Sequence, residues 1–219
     1  MTVKQFVFNG FSENTYVVYD DSKECIIIDP GCYDPKEKSA LKQFIIDHQL
    51  TVKALINTHC HIDHVLGNCF VKEEFKVGLT IHKRDIETLK ANEIVAPIYG
   101  FQGYESCEAD YFIEEGDQVT FGHSILDVIF VPGHAKGHIA LVNKVEKLCF
   151  GGDVLFQQSI GRTDLPGGDF NTLMDSIKNK LFQLEDDVTV YCGHGPSTTI
   201  GFEKKNNPFC GIDAKYSDR

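Results

Sequence analysis

The sequence predicts a mixed α/β (α+β) fold built as two similar β-rich halves that each carry helices. Three observations predict it. Strand-like stretches lead into a helix and another strand, and the same order then repeats in the second half. The run Thr58-His59-Cys60-His61-Ile62-Asp63-His64 puts three imidazoles, a thiol and a carboxylate directly after a strand-like stretch, where open α/β sheets tend to place their sites. Three later strand ends share one form, small residues followed by a possible ligand. A four-layer αββα sandwich fits this order. Periodicity alone does not establish the layers, which rest on a resemblance described below.

Residues 3–8 read as a strand, 14–19 as a second and 24–29 as a third, the last a continuous apolar run of the interior kind. Pro30-Gly31 ends it. Residues 35–48 carry the helical period, with Leu41, Phe44, Ile45 and Leu50 on one side. Residues 52–57 form the strand that delivers Thr58 to His64, and a short helix is expected after Val65-Leu66-Gly67-Asn68. Residues 79–82 read as a strand, 83–91 as a helix, and 94–103 as a surface loop or lid in which Tyr99, Phe101 and Tyr104 are either lining or ordinary packing. Antiparallel strands are expected from Tyr111 to Val131, with turns at Gly116-Asp117 and Gly122-His123. Residues 139–142 and 147–151 make a hairpin pair. Residues 171–184 read as a helix with Leu173, Ile177, Leu181 and Leu184 on one face, 188–192 as a last core strand, and a final helix starts near Thr199.

The chain has 219 residues, and no linker, repeat or biased stretch divides it, so a single domain over 1–219 is expected. No apolar run approaches the roughly 20 residues a membrane helix needs. Residues 1–8 lack the basic and apolar regions of a signal peptide, which points to a cytoplasmic location and no membrane partner. The eight cysteines are scattered without a Cys-x-x-Cys pair, and Cys25, Cys149 and Cys192 read as small buried strand residues. A net charge of −11 argues against a nucleic-acid partner, because phosphate binding needs clustered Lys and Arg. The expected partner is a small molecule, and the expected assembly a monomer or small homo-oligomer.

His59 and His61 are two residues apart in extended chain, so their side chains project to the same side and can grip one ion. Asp63 and His64 lie beyond, where the loop turns into a helix, and can face a second. Imidazoles with a carboxylate suit zinc, iron, manganese or nickel better than magnesium or calcium. The later signals are Pro132-Gly133-His134, Gly151-Gly152-Asp153 and Gly193-His194-Gly195-Pro196. A glycine beside each ligand lets the backbone approach a crowded site.

In this order the motifs resemble those of the metallo-β-lactamase fold superfamily. Asp29, ahead of Pro30-Gly31, matches its first acidic position. Within the superfamily the chain is most similar to the glyoxalase II-like (hydroxyacylglutathione hydrolase-like) small bacterial hydrolases. The segments Gly161-Arg162-Thr163-Asp164-Leu165-Pro166-Gly167-Gly168-Asp169 and Gly201-Phe202-Glu203-Lys204-Lys205-Asn206-Asn207-Pro208-Phe209 carry that similarity. The resemblance implies the αββα sandwich and two divalent ions, zinc first, with iron or manganese as alternatives. His59, His61 and His134 would hold one ion, Asp63, His64 and His194 the other, and Asp153 would bridge. Asp29 would brace the metal loop, and His138 would support a ligand rather than serve as one. Arg162 pairs with Asp164 to brace its loop, with substrate contact as the sharper reading; Lys136 belongs to the cleft edge.

Water bridging two such ions loses a proton near neutral pH and stands ready to attack a polarised carbonyl. Asp63 and Asp153 are then the catalytic carboxylates. A leaving thiolate needs little protonation, so a thioester of the S-lactoylglutathione type is the expected substrate. Two features depart from the glyoxalase II pattern. The group's Thr-Pro pair before the last His of that segment is Ala135-Lys136 here, and this sequence stops soon after Pro208-Phe209, short of the helical extension that helps bind glutathione. The competing expectation is a persulfide dioxygenase-like oxidoreductase holding one iron by His59, His134 and Asp153. Lactonase or phosphodiesterase activity stays open on the same scaffold, and secreted β-lactamase activity is not expected. Cys60 reads as packing, and His48, His82 and His123 as ordinary hydrogen-bonding or surface residues.

Overall fold

A computed structural model describes residues 1–214. They form two compact units, Met1–Ile113 with Val119–Ile125, and Glu114–Gln118 with the residues from Leu126 onward.

The first unit is built on a sheet of six strands in the order β1 (Thr2–Phe8), β2 (Glu13–Tyr19), β3 (Glu24–Ile28), β4 (Thr51–Ile56), β5 (Leu79–Ile81), β6 (Tyr111–Phe112). β1, β2 and β3 pair antiparallel, whereas β3, β4, β5 and β6 run parallel. Four helices connect these strands: α1 (Pro35–Asp47), α2 (Ile62–Val65), α3 (Asn68–Phe75) and α4 (Ile86–Ile98). α1 starts on a capping box, in which the Asp34 carboxylate accepts from the amides of Lys36 and Glu37 while Glu37 returns to the Asp34 amide. Pro35 sits in its first turn, where the missing N–H costs nothing. Leu41 and Ile45 of α1, Val71 of α3 and Leu89 and Ala96 of α4 are buried in one cluster with Val17, Ile27, Leu55 and Leu79. Each buried Leu, Ile or Val among them contributes roughly 1.5–3 kcal/mol.

The second unit is built on β8 (Ser124–Phe130), β9 (Ile139–Asn143), β10 (Leu148–Gly152), β13 (Thr189–Cys192) and β14 (Thr198–Thr199), with α5 (Phe170–Asn179) and α6 (Ile200–Asn206). β7 (Gln118–Phe121) and β8 carry residues of both units. A two-stranded ribbon, β11 (Leu155–Phe156) with β12 (Ser159–Ile160), follows β10. β9 pairs antiparallel with both β8 and β10, and β10 pairs parallel with β13. Leu173 and Ile177 of α5 and Ile200 of α6 share a buried cluster with Val142, Cys149, Val190 and Cys192.

Both sheets deliver their chemistry at strand C-termini. In the first unit, parallel pairing brings the C-terminal ends of β3, β4 and β5 to one edge, and Asp29, Thr58–His64 and Asp85 lie just past those ends. In the second, β8, β10 and β13 run in one direction, and His134, Asp153 and His194 follow them.

Three expected elements are corrected. The helix expected over 83–91 is a 3₁₀ turn (Lys83–Asp85) followed by α4, which runs on to Ile98 through much of the expected loop. Burial of Leu89, Asn92 and Ala96 on one face carries the helix past residue 91, with Pro97 inside its last turn. Tyr111–Phe112 does not start an antiparallel set but adds parallel to β5. The helix expected over 171–184 breaks at Lys180, whose ammonium binds Glu115 at 2.8 Å and the Phe130 carbonyl at 2.7 Å. Leu181 and Leu184 are still buried, carried by a 3₁₀ turn (Leu181–Gln183) and its end.

Candidate metal centre

In the first unit the donors come from one loop. β4 ends at Ile56, and the chain stays extended through His61, which precedes α2. The His59 and His61 rings lie 4.8 Å apart between centroids, and those of His59 and His64 4.1 Å. Donor atoms of Asp29, His59 and His64 all fall within 4.8 Å of one another. His64 Nδ1 lies 3.2 Å from Asp29 Oδ2, and His64 Nε2 lies 3.7 Å from Asp63 Oδ2.

Buried polar side chains hold this loop from behind. Asp29 Oδ1 accepts from the Thr58 amide at 2.7 Å, and Oδ2 accepts from Thr58 Oγ1 at 2.6 Å. With His64 against Oδ2 as well, the Asp29 carboxylate is engaged as a brace. Asn57 Nδ2 donates to the His64 carbonyl at 3.0 Å, and Asn68 Nδ2 donates to Asn57 Oδ1 at 2.7 Å. Asn9 Nδ2 donates to the carbonyls of Asp63 and Gly31, each at 3.0 Å. Cys60 is fully buried between the two imidazoles that flank it in sequence. Its amide donates to Asp85 Oδ2 at 2.7 Å and its carbonyl accepts from Asn92 Nδ2 at 2.9 Å. Burial, with Asp85 beside it, pushes the Cys60 thiol well above its usual range. Glu13 is also fully buried, 3.9 Å from His64 Nδ1, and burial raises its carboxyl well above the usual value against the pull of His64. A Cβ at Gly31 would meet Glu13 Oε2 at 2.1 Å and the Asp63 carbonyl at 2.6 Å, so only glycine fits there.

In the second unit the donors come from three strand ends. His134 Nε2 and His194 Nε2 both lie near Asp153 Oδ2, at 3.6 and 3.5 Å. His134 Nδ1 donates to the Arg162 carbonyl at 2.8 Å, which leaves Nε2 as the nitrogen able to bind. The Asp153 amide donates to His138 Nε2 at 3.0 Å, so His138 spends that nitrogen on the backbone of a donor residue. The Gly193 amide donates to the Gly152 carbonyl at 2.8 Å and couples the chain just before His194 to that before Asp153. Gly133 takes φ +126°, and a Cβ there would lie 2.3 Å from the Leu173 amide nitrogen.

Within each unit the donors fit a transition ion. Separations of 3.5–3.7 Å between imidazole Nε2 and carboxylate oxygen exceed a hydrogen bond. They approach the roughly 3.4 Å edge of a tetrahedron with metal–ligand bonds of about 2.1 Å.

The other candidates fall into place around these sets. Arg162 forms a bidentate pair with Asp164, both bonds at 2.7 Å, and this guanidinium holds the Asp164 carboxyl down at about 2. Lys136 is exposed, and its stem lies against Gly167. Phe101 is buried against Tyr33, with ring centroids 5.0 Å apart, and Tyr104 packs on the same core, while Tyr99 stays half-exposed beside Phe11. His48 stacks on Phe44, His82 accepts from the Arg84 amide, and the His123 amide donates to Asp20. Sequence reasoning missed Asp85, Asn92, Asn57, Asn9 and Glu13. Asn92 shares the buried face of α4 with Leu89 and Ala96, and a polar residue in that stripe is the signal; ending the helix at Ala91 hid it.

No helix among the described residues is long and apolar enough to cross a membrane. The sequence model of the metallo-beta-lactamase superfamily matches residues 8–194. The chain is 36% identical over 211 residues to the hydroxyacylglutathione hydrolase GloC of Haemophilus influenzae, covering 95% of this chain and 98% of that protein. Among solved structures it is similar to the BLEG-1 B3 metallo-beta-lactamase, with a TM-score of 0.86 at 36% identity over 94% of this chain and 98% of that one. It is also similar to TTHA1623 in a di-iron-bound form, with a TM-score of 0.83 at 32% identity over 94% and 99% of the two chains.

Proposed function

The chain belongs to the metallo-beta-lactamase superfamily, typically metal-dependent hydrolases, and from that premise we propose that it hydrolyses a thioester of the hydroxyacylglutathione type. The observation that carries this reading is the similarity to a hydroxyacylglutathione hydrolase along nearly the whole of both chains. The complete donor set, His59, His61, Asp63 and His64 in one unit and His134, Asp153 and His194 in the other, supports it.

On this reading the two sets serve one pair of divalent ions, His59, His61 and His134 on one, Asp63, His64 and His194 on the other, with Asp153 shared. Zinc is the ion proposed, with iron its rival, since imidazole and carboxylate donors suit both. When bound, such ions lower the pKa of water to near 7 and polarise a carbonyl oxygen. The chain's own work is to hold donor atoms in the binding form. The Arg162 carbonyl keeps the His134 proton on Nδ1, so His134 presents Nε2, and the Asp29 carboxylate stands 3.2 Å behind His64 Nδ1. Asp63 Oδ2, beside His64 Nε2, is the group proposed to orient the attacking oxygen. The leaving thiolate needs no strong general acid, and no such residue is required of this site.

The experiment is hydrolysis of S-lactoylglutathione by the metal-loaded protein, run beside a β-lactam and glutathione persulfide with oxygen uptake recorded. Thioester turnover well above the other two is expected. A faster β-lactam reaction, or oxygen consumption with one iron per chain, overturns the reading.

A further inference from the structure

Of the eight cysteines, Cys25, Cys32, Cys60, Cys149, Cys192 and Cys210 are buried, and only Cys69 and Cys107 are partly open to solvent. These two face each other. Cys69 lies in the first turn of α3, and Cys107 in the segment that leads to β6. Lys72, one turn along α3 from Cys69, donates to the Glu108 carbonyl at 2.8 Å and pairs with Asp110 at 2.6 Å. α3 and residues 107–110 are thereby laced side by side, with sulfur opposite sulfur.

The pair is asymmetric. The contact with Cys107, helped by the Lys72 ammonium, holds the Cys69 thiol below its usual range against burial, Glu105 and Glu73. The same contact, with burial, pushes Cys107 upward. In the buried thiols burial acts alone or dominates, raising Cys25, Cys149, Cys192 and Cys210 to about 12. A thiolate is the reactive form, and of the two partly open thiols Cys69 is the one that lines a cavity as well as the one held low, so Cys69 is the nucleophile. That cavity, of about 250 Å³, is shared with Tyr33, Lys38, Gln102, Tyr104 and Glu105, and it gives a small molecule access to the Cys69 sulfur.

We propose that Cys69 and Cys107 form a reactive dithiol that low-molecular-weight disulfides convert reversibly into an intramolecular disulfide. Cys69 thiolate attacks one sulfur of the incoming disulfide. A mixed disulfide forms, and the small disulfide's S–S bond breaks to release one small thiolate. Cys107 gives up its proton to solvent, and its thiolate attacks the Cys69 sulfur. The Cys69–Cys107 bond forms as the mixed bond breaks and releases the second small thiolate. The protein dithiol loses two electrons, the small disulfide gains them, and the two protons end on the two released thiols. The new bond joins α3 to residues 107–110 and constrains the unfolded chain, so it raises the melting temperature.

The test incubates the full chain with graded ratios of reduced to oxidised glutathione, quenches by alkylation and maps the peptides. One disulfide, Cys69–Cys107, is expected to form at oxidising ratios and to reverse at reducing ones, with the six buried cysteines alkylated only after denaturation. In the reduced protein Cys69 should alkylate roughly tenfold or more faster than Cys107. Cys107→Ser should trap a glutathione adduct on Cys69, and Cys69→Ser should leave Cys107 largely unmodified. The wild-type map decides the matter even if a variant folds poorly. Both thiols free at every ratio, a disulfide between another pair, or glutathione collecting on Cys107 overturns the proposal.

Discussion

The two units present donors in opposite ways. The first carries His59, His61, Asp63 and His64 on one continuous loop, and buried side chains from β3, α4 and the turn after β5 hold that loop. The second collects His134, Asp153 and His194 from three separate strand ends, held mainly by backbone partners and sheet register. A loop can place four donors with little sequence, but it needs carboxylates and amides behind it. Strand ends need less bracing, because the ladder sets their spacing. Damage to a brace should therefore cost the first unit metal affinity, and in the second the donors themselves are the weak points.

The largest expected effect is in the second unit. Asp153→Ala removes the carboxylate that both Nε2 atoms approach, and thioester turnover should fall to background with loss of bound metal. A variant with full activity breaks the comparison at its base. Next comes the first unit's brace. Asp29 sits at φ 49°, a left-handed position that Asn tolerates, so Asp29→Asn removes charge without backbone strain. Metal affinity by chelator competition should drop about 10–100-fold, the usual cost of losing a partner behind a ligand. Unchanged affinity would mean that the loop holds itself.

Asp85→Ala and His138→Ala sharpen the contrast. Each strands one amide, that of Cys60 or of Asp153, at a cost of about 1–3 kcal/mol in urea unfolding. In Asp85→Ala the metal affinity should fall further, because Cys60 lies between two donors in one chain. Equal losses of affinity in both variants would remove the distinction between loop and strand ends.

The smallest effect is at Asp20. Burial pushes its carboxyl up, but hydrogen bonds from Ser22, Ser124 and the His123 amide win and hold it down at about 2. Its folded value lies below the unfolded one of about 3.9, so its contribution is present above pH about 4 and is lost as pH falls through about 2. The difference in melting temperature between wild type and Asp20→Asn should be small at pH 6 and vanish toward pH 2. A difference that grows on acidification contradicts the assignment.

Legibility in the sequence followed the same division. The donors were readable because His-x-His-x-Asp-His and the glycine-flanked His134, Asp153 and His194 are local patterns at strand ends. β3 was readable as an apolar run, β4 as the strand ahead of the His-rich loop, β10 as half of a hairpin, and α1 from its period. The braces were not, because Asp85, Asn92 and Asn9 act across contacts distant in sequence, and nothing local marks a buried Asp or Asn as a clamp. α4 was cut short because residues 94–103 read as a loop or lid, whereas burial of Leu89, Asn92 and Ala96 keeps the helix going. The facing of Cys69 and Cys107 was equally hidden, since it depends on Lys72 reaching Glu108 and Asp110.

The central claim is that both donor sets load. The most direct test is the metal-to-protein ratio of the purified chain, measured for wild type and for Asp63→Ala, His64→Ala and His194→Ala. The account predicts about two divalent ions per chain in the wild type and a lower ratio in each variant. One iron per chain, retained in all three variants, would contradict it.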